Sequence, residues 1–358
     1  MKKILVWGLA NYRGGTESVI YNYAKSVSPS LIHFDFLCYE TPEIYNSLFT
    51  GDLSNNNYYT VPIKIKHPIK NAYELNKFFA NHGNEYDAFW FNINDISNID
   101  PLVLAERFGI KRRIVHMHSS DIAKQNITQI FSRLNHKRCC ELATDRWACS
   151  PDAGRYLFGD EPFRVIPNLI DSEKYKFDPL KRSIVRRKLG INDSFVIGTV
   201  GRLSEIKNSK FLIELLPTVL KKKHNAKLVF VGDGAVKERL IVLADELGIS
   251  DRVIFAGVQD DTQAYYSSFD VFALPSLHEG LPLVMLEAQF NRLPCVTSLG
   301  VSTDCVISES VKRVDCSDMA TWADELVSSS RDDMILIDGL AKSFDISNAS
   351  KTAESLFL

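Results

Sequence analysis

The chain has 358 residues, more than twice the roughly 150 of a typical domain, so two domains, each with its own core, are expected. Its 45% hydrophobic, 24% charged and 11% aromatic residues exclude a largely disordered or fibrous chain. Lys and Arg number 42 against 44 Asp and Glu, a net charge of −2 that is too balanced to hold nucleic acid by bulk charge.

The opening MKKILVWGLANYRGG has a short apolar run that meets Asn11, Tyr12 and Arg13, which fits neither a signal peptide nor a membrane span. A cytoplasmic protein is expected. The seven cysteines include no CxxC pair, which argues against a disulfide framework or a structural zinc site. Cys38, Cys149, Cys295, Cys305 and Cys316 read as small buried hydrophobes.

In chain order, runs rich in Val, Ile and Phe predict strands at Ile4–Trp7, Phe34–Leu37, Ala88–Phe91, Ile114–Met117, Trp147–Cys149 and Arg164–Ile166, mostly separated by amphipathic helical stretches. Residues 171–193 are dense in charge and read as a crossing segment with a short helix. A second series follows at Phe195–Gly198, Leu228–Val231, Val253–Phe255, Val271–Leu274 and Pro294–Val296. The pattern is α/β: two doubly wound parallel sheets in tandem, whose ligands are expected at strand carboxyl ends in a cleft between domains. Such a fold does not choose a chemistry, so the loops must.

Three loops stand out. After the first strand, Gly8 to Glu17 carries Gly14 and Gly15 at a helix start, where backbone N–H groups can meet an anion; it is not GxGxxG, and a plain βα turn remains the alternative. After the first strand of the second series comes Gly201-Arg202-Leu203-Ser204-Glu205-Ile206-Lys207-Asn208, before a helix predicted over Ser209–Leu220. Arg202 and Lys207 can share one diphosphate there; two solvated charges are the plain alternative. The third is Leu274 to Ala288, with Gly280 for close backbone approach, Pro282 in a first helical turn, and Glu279 and Glu287 eight residues apart, a spacing that lets both face one side. A carboxylate so placed accepts hydrogen bonds from a vicinal diol. A surface helix with two solvated glutamates is the alternative.

EGLPLVMLE, from Glu279 to Glu287, resembles the E-x7-E motif of retaining GT-B glycosyltransferases, family 4 in particular, and GRLSEIKN resembles that family's GR-x4-KN donor motif. VGDG (Val231–Gly234), FDVFALPS (Phe269–Ser276) and RIVHMHSS (Arg113–Ser120) resemble further landmarks in the right order. The likeness covers nearly the whole chain and is strongest to bacterial capsular and exopolysaccharide enzymes. It implies a GT-B fold of two Rossmann-like domains: an acceptor domain over residues 1–170, a nucleotide-sugar domain over 171–340, and a tail over 341–358 crossing back to the first.

The resemblance also implies roles. Arg202 and Lys207 would bind the diphosphate, Glu287 the ribose hydroxyls, and Glu279 the donor sugar with the backbone of Gly280 and Leu281; Gly232 would belong to the donor site. Gly14 and Gly15 would approach the phosphates, and His118 would line the sugar site, with His116 a competitor for that role. Two departures stand out: Asn168-Leu169-Ile170-Asp171 replaces N-G-I-D, and Arg292 stands where glycine is common.

The implied donor is a nucleotide sugar, by family expectation UDP-linked, and the implied reaction is retaining. No DxD cluster accompanies the donor motifs; Asp260-Asp261 reads as a solvated turn. A metal-free reaction without a cofactor is therefore expected, with Arg202, Lys207 and the helix beginning near Leu281 stabilising the leaving group. The acceptor is expected to be a glycan or a polyprenyl-diphosphate-linked glycan. Arg107, Lys111, Arg112, Arg113 and a helix from Ile122 through Arg138 suggest contact with the inner face of an anionic membrane; a solvated helix is the alternative. A nucleotide-sugar epimerase and a non-catalytic partner subunit are competing readings. Donor-only product analysis separates the first, and intact Arg202, Lys207, Glu279 and Glu287 argue against the second.

Overall fold

A computed structural model describes residues 1–9, 14–39, 56–119 and 135–358. The chain forms two compact units, Met1–Leu169 with Ser343–Leu358, and Ile170–Lys342.

The first unit is built on a seven-stranded parallel sheet in the order β3-β2-β1-β4-β5-β6-β7. The strands are β1 (Lys2–Trp7), β2 (Ile32–Cys38), β3 (Tyr58–Thr60), β4 (Ala88–Ile93), β5 (Arg112–Met117), β6 (Asp145–Ala148) and β7 (Arg164–Val165). Every residue of β4 is buried, as a central parallel strand with helices on both faces requires. On one face Trp90 packs edge-on against Phe357 at 5.0 Å between ring centroids, and Phe357 also meets Phe34 and Trp147. Phe357 ends the helix Ile346–Phe357, which Asp345 caps. The Arg112 guanidinium fixes this end by donating to the Phe357 carbonyl at 2.9 Å while pairing with Asp145.

The second unit carries a six-stranded parallel sheet, β10-β9-β8-β11-β12-β13. Its strands are β8 (Phe195–Val200), β9 (Ala226–Val231), β10 (Val253–Gly257), β11 (Val271–Leu274), β12 (Cys295–Ser298) and β13 (Lys312–Val314). Both sheets reverse their winding beside their first strand, between β1 and β4 and between β8 and β11, and such switch points open a crevice at the strand carboxyl ends.

Each predicted strand has a counterpart in these sheets, with ends moved by one or two residues. Two edge strands, β3 and β13, were not predicted, because three residues with only partly buried patterns carry no readable alternation. The charged segment 171–193 holds two helices, Ser172–Tyr175 and Pro179–Leu189, the second opened by Asp178 accepting from the backbone N–H of Leu180 and Lys181 and closed by Gly190. Cys38, Cys149, Cys295 and Cys305 are buried, whereas Cys316 is half-buried beside the Pro275 carbonyl. Among the described residues, no helix is long and apolar enough to cross a membrane.

Candidate active site

The switch point of the second sheet gathers two of the three loops that the sequence singled out. After β8 the chain turns at Gly201, and its backbone binds the neighbouring β9 loop: Gly201 N–H donates to the Val231 carbonyl at 2.9 Å and Leu203 N–H to that of Asp233 at 3.0 Å. The loops approach so closely that a Cβ on Gly232 would stand 2.0 Å from the Gly201 oxygen, at a backbone φ of +133°. Gly232 is thus required by the chain itself.

Arg202 lies exposed beyond Gly201, and the chain then makes a single helical turn, Glu205–Lys207. Asn208 follows in the left-handed region, φ 51°, a conformation Asn tolerates better than most residues. It caps the helix Ser209–Lys222 without a side-chain bond to that helix; its amide instead donates to the Pro275 carbonyl at 3.2 Å. Leu277 N–H donates to Ile206 O at 2.8 Å, and the Lys207 ammonium pairs with the Glu279 carboxylate, side chains that keep only 22% and 16% exposure. Three tethers therefore hold the lysine loop to the loop after β11. Thr199, Gly201, Arg202, Lys207, Ser209 and Leu274 line a pocket at this junction, facing the amino end of the helix Ser209–Lys222. A guanidinium, an ammonium and the positive end of a helix dipole beside one pocket favour negative charge there.

The reading of the Glu279–Glu287 spacing as a little over two helical turns is corrected by the structure. The helix runs only over Leu283–Phe290, with Pro282 at its cap, so it begins two residues past Leu281 and Glu279 lies outside it. Glu279 is pinned as a bridge to Val301: its N–H donates to Gly300 O at 3.0 Å and its carbonyl accepts from Ser302 N–H at 2.9 Å. Gly280 is half-buried and Leu281 buried between these two fixed pieces. Glu287, one turn into the helix, is half-buried and accepts two phenol hydrogen bonds, from Tyr175 at 2.8 Å and from Tyr266 at 2.7 Å. Burial, and next the neighbouring Glu287 charge, push the Tyr266 phenol well above its usual range, so it stays a donor. The Asn291 amide holds the Tyr175 carbonyl at 2.9 Å.

In the first unit, Gly14 precedes the helix Gly15–Ser26, and its N–H donates to Glu17 at 3.1 Å. A Cβ on Gly15 would meet nothing within 4 Å, so none of the described residues demands glycine there. Thr16 donates to the Asn94 side chain at 3.2 Å, which brings this helix start to the end of β4. Two histidines end β5. His116 is fully buried, 6.1 Å from Trp90 in a stacked arrangement and accepting its indole N–H, whereas His118 stays half-buried, 4.1 Å from the His116 ring. Of the two, His118 is the one still accessible. Its Nε2 lies 2.9 Å from Asn92 Oδ1, and the Asn92 amide already donates to Trp7 O, so the ring must donate from Nε2, leaving Nδ1 as acceptor. Burial pushes the His118 imidazole down to about 3, so it is neutral at physiological pH.

Two of the arginines read as membrane contacts are engaged within the fold: Arg112 holds the carboxyl-terminal helix, and Arg113 donates to the carbonyls of Leu142 and Ile110 at 2.8 Å. Residues 122–134 of the accompanying predicted helix lie outside the described residues, as do Asn11, Tyr12 and Arg13.

Residues 181–321 match the family model described as glycosyl transferases group 1. Over 330 residues the chain is 30% identical to EpsF of Bacillus subtilis (strain 168), named as a glycosyltransferase, across 84% of this chain and 82% of that one. The chain belongs to the group 1 glycosyltransferases.

Within this family of GT-B enzymes it is also 30% identical over 179 residues, 48% of this chain and 46% of the relative, to an Escherichia coli protein named UDP-Gal:alpha-D-GlcNAc-diphosphoundecaprenol alpha-1,3-galactosyltransferase. The fold is shared with Anabaena Alr3699/HepE, solved with UDP and glucose, at a TM-score of 0.78 and 20% identity over 99% of both chains. Sequence reasoning about this glycosyltransferase missed Tyr175, Tyr266 and Asn92, which lie 112, 21 and 26 residues from the side chains they hold. Nothing local marks them. Asn208 had a signal, being adjacent to Lys207, but its left-handed cap was not read from it.

Proposed function

We propose that the chain is a retaining, metal-independent hexosyltransferase that moves a sugar from a UDP-linked donor to a glycan or polyprenyl-diphosphate-linked glycan in surface polysaccharide synthesis. The observation that carries this reading is the convergence of Arg202, Lys207 and the amino end of the helix Ser209–Lys222 on one pocket, with Glu279 paired to that lysine. HepE was solved with UDP and glucose, and the Escherichia coli relative is named for a UDP-sugar and a diphosphoundecaprenol acceptor; both support the choice of donor and acceptor class.

In this reading the donor diphosphate takes Lys207 from Glu279, and the released carboxylate accepts hydroxyls of the donor sugar. Arg202 forks onto the same diphosphate, and Glu287, oriented by its two tyrosines, accepts the ribose diol. The backbone of Gly280 and Leu281 adds donors to the sugar diphosphate. Gly14 and Gly15 approach the phosphates, and neutral His118 lines the sugar site through Nδ1.

The acceptor oxygen attacks the anomeric carbon on the face from which the diphosphate leaves. One carbon–oxygen bond forms as the other breaks, and the acceptor proton passes to a departing phosphate oxygen. Arg202 and Lys207 neutralise the charge that grows on that phosphate, work worth about 3–4 kcal/mol per well-placed donor in a comparable oxyanion site.

The test is a screen of nucleotide sugars for thermal stabilisation, about 2.7 kcal/mol at a hundredfold excess over Kd, followed by product analysis with an acceptor. A new glycosidic bond of unchanged anomeric configuration is expected, with full rate in excess EDTA. Loss of activity in EDTA restored by magnesium overturns metal independence. An epimerised sugar from donor alone overturns the transferase reading, and binding without turnover favours a partner subunit.

A further inference from the structure

The outer face of the helix Pro68–His82, with the loop before it, carries a surface that neither the fold nor the donor site uses. Ile65, Ile69 and Tyr73 are 91%, 87% and 64% exposed, and they recur every four residues, so Ile69 and Tyr73 share one helical face. The inner face of the same helix is already satisfied: Asn71, Leu75, Phe78 and Phe79 are buried, the last three within the core of the first unit. Exposed apolar side chains on a helix that has packed its other side, and on the turn before it, call for a partner outside the chain.

The charge around them says which kind. Lys66, Lys70 and Lys77 are exposed, and among the described residues none of them forms an ion pair. Lys64 is held by Asp100 and Asn98, and Glu74, half-buried, is the one carboxylate between residues 64 and 77. Another exposed aliphatic group, Ile335, Ile337 and Leu340, is flanked by Asp332 and Asp338 and has the opposite sign, and the pair Leu180 and Ile184 is smaller. Apolar side chains on a face rimmed by unpaired lysines suit an anionic lipid interface, where the aliphatic groups enter the acyl boundary and lysine stems carry their charges up to the phosphates.

We propose that Ile65, Ile69 and Tyr73, with Lys66, Lys70 and Lys77, dock the first unit on an anionic phospholipid bilayer. The inference rests on the reading above only in its purpose, which is to bring the chain to an acceptor anchored in that bilayer.

The full chain is sedimented with phosphatidylcholine vesicles, with and without phosphatidylglycerol. Binding is expected only to the anionic vesicles, weakening as salt rises. The double variant I65S/I69S should lower the partition coefficient about tenfold or more, and K66E/K70E/K77E should abolish the salt-dependent part. K111E, on the surface favoured from sequence alone, should bind as wild type does. All these positions are exposed, so melting temperatures should not move. No binding to anionic vesicles at low salt, or equal binding by the isoleucine variant, overturns the proposal. So does a dimer in solution that I65S/I69S converts to a monomer, which assigns the face to a second copy. Transfer to a water-soluble acceptor separates the two readings: it survives if only the docking is wrong and is absent, with vesicle binding intact, if only the enzymatic reading is wrong.

Discussion

Two glycines near the switch points, Gly232 after β9 and Gly15 after β1, stand in different surroundings. In the second unit the loop after β8 is welded to its neighbours: Gly201 and Leu203 bond to the β9 loop, and Gly232 leaves no room for a Cβ. In the first unit Gly15 opens its helix with nothing within 4 Å of where a Cβ would stand. The first kind of glycine answers to the chain's own packing. The second kind has no steric reason among the described residues, and in the proposed function its reason is the donor phosphate. A glycine motif therefore gains functional meaning only after its steric reason has been tested.

The largest effect that can break this contrast is at the site itself. Lys207→Ala and Glu287→Ala should each reduce transfer about a thousandfold or more, as losing transition-state donors and substrate anchors does. Circular dichroism should be unchanged, and Lys207→Ala, which leaves the mostly buried Glu279 carboxylate without its lysine, should lower stability by about 1–3 kcal/mol. Near wild-type turnover in both variants rejects the assignment.

The glycines come next. Gly232→Ala must push a Cβ into the Gly201 carbonyl at a positive φ and should cost about 2–4 kcal/mol in denaturant unfolding. Gly15→Ala should leave stability unchanged or raise it by up to about 1 kcal/mol, because alanine favours the helix it joins. Titration with UDP-sugar should nevertheless show weakened binding for Gly15→Ala, by about tenfold or more, since the added methyl occupies space reserved for the ligand. Equal stability losses in the two variants, or unchanged donor affinity in the second, erase the distinction.

How much of this was legible follows the same line between local and distant causes. The parallel sheets were readable because buried central strands such as Ala88–Ile93 are continuous apolar runs. The lysine loop was readable because Gly201, Arg202, Lys207 and Asn208 are close in sequence. The reach of Glu279 was misjudged because a carboxylate spacing of eight was read as two turns of one helix, whereas Pro282 starts the helix later and a bridge to Val301 fixes Glu279 outside it. The tyrosine pair on Glu287 was invisible, since residues 175 and 266 meet it only through the folded second unit.

That pair supplies a subtler test. Tyr175→Phe removes one of two phenol donors from the Glu287 carboxylate and keeps the ring, so the fold should stand. A hydrogen bond to a charged group is worth about 1.5–3 kcal/mol, but Tyr266 still holds the other oxygen, so only part of this should reach the ligand. The Kd for UDP should rise about fivefold with kcat nearly unchanged. With 2′-deoxy-UDP the difference between wild type and variant should shrink, because the diol that Glu287 is positioned to accept is gone. An undiminished difference assigns Tyr175 a purely structural role.

The smallest effect concerns the departure at Arg292. Among the glycines of positive φ that follow helices, Gly109, Gly190 and Gly248 stand at φ of 86°, 67° and 65°. In each the following residue donates back across the last turn, as Ile110 does to Ala105, Ile191 to Arg186 and Ile249 to Ala244. The helix Leu283–Phe290 closes in the same way, with Arg292 N–H on Gln289 O at 2.9 Å and Leu293 N–H on Ala288 O at 3.0 Å, but the left-handed residue, at φ 52°, is an arginine. Buried Leu293 supplies the apolar contact that usually accompanies this closure. The left-handed conformation costs a residue with a Cβ about 1–2 kcal/mol, while glycine returns about 0.4–1 kcal/mol of freedom to the unfolded chain. Arg292→Gly should therefore stabilise the second unit by about 0.5–1 kcal/mol, seen as a higher urea midpoint at constant slope. A lower midpoint would mean that the Arg292 side chain makes a contribution larger than its backbone strain.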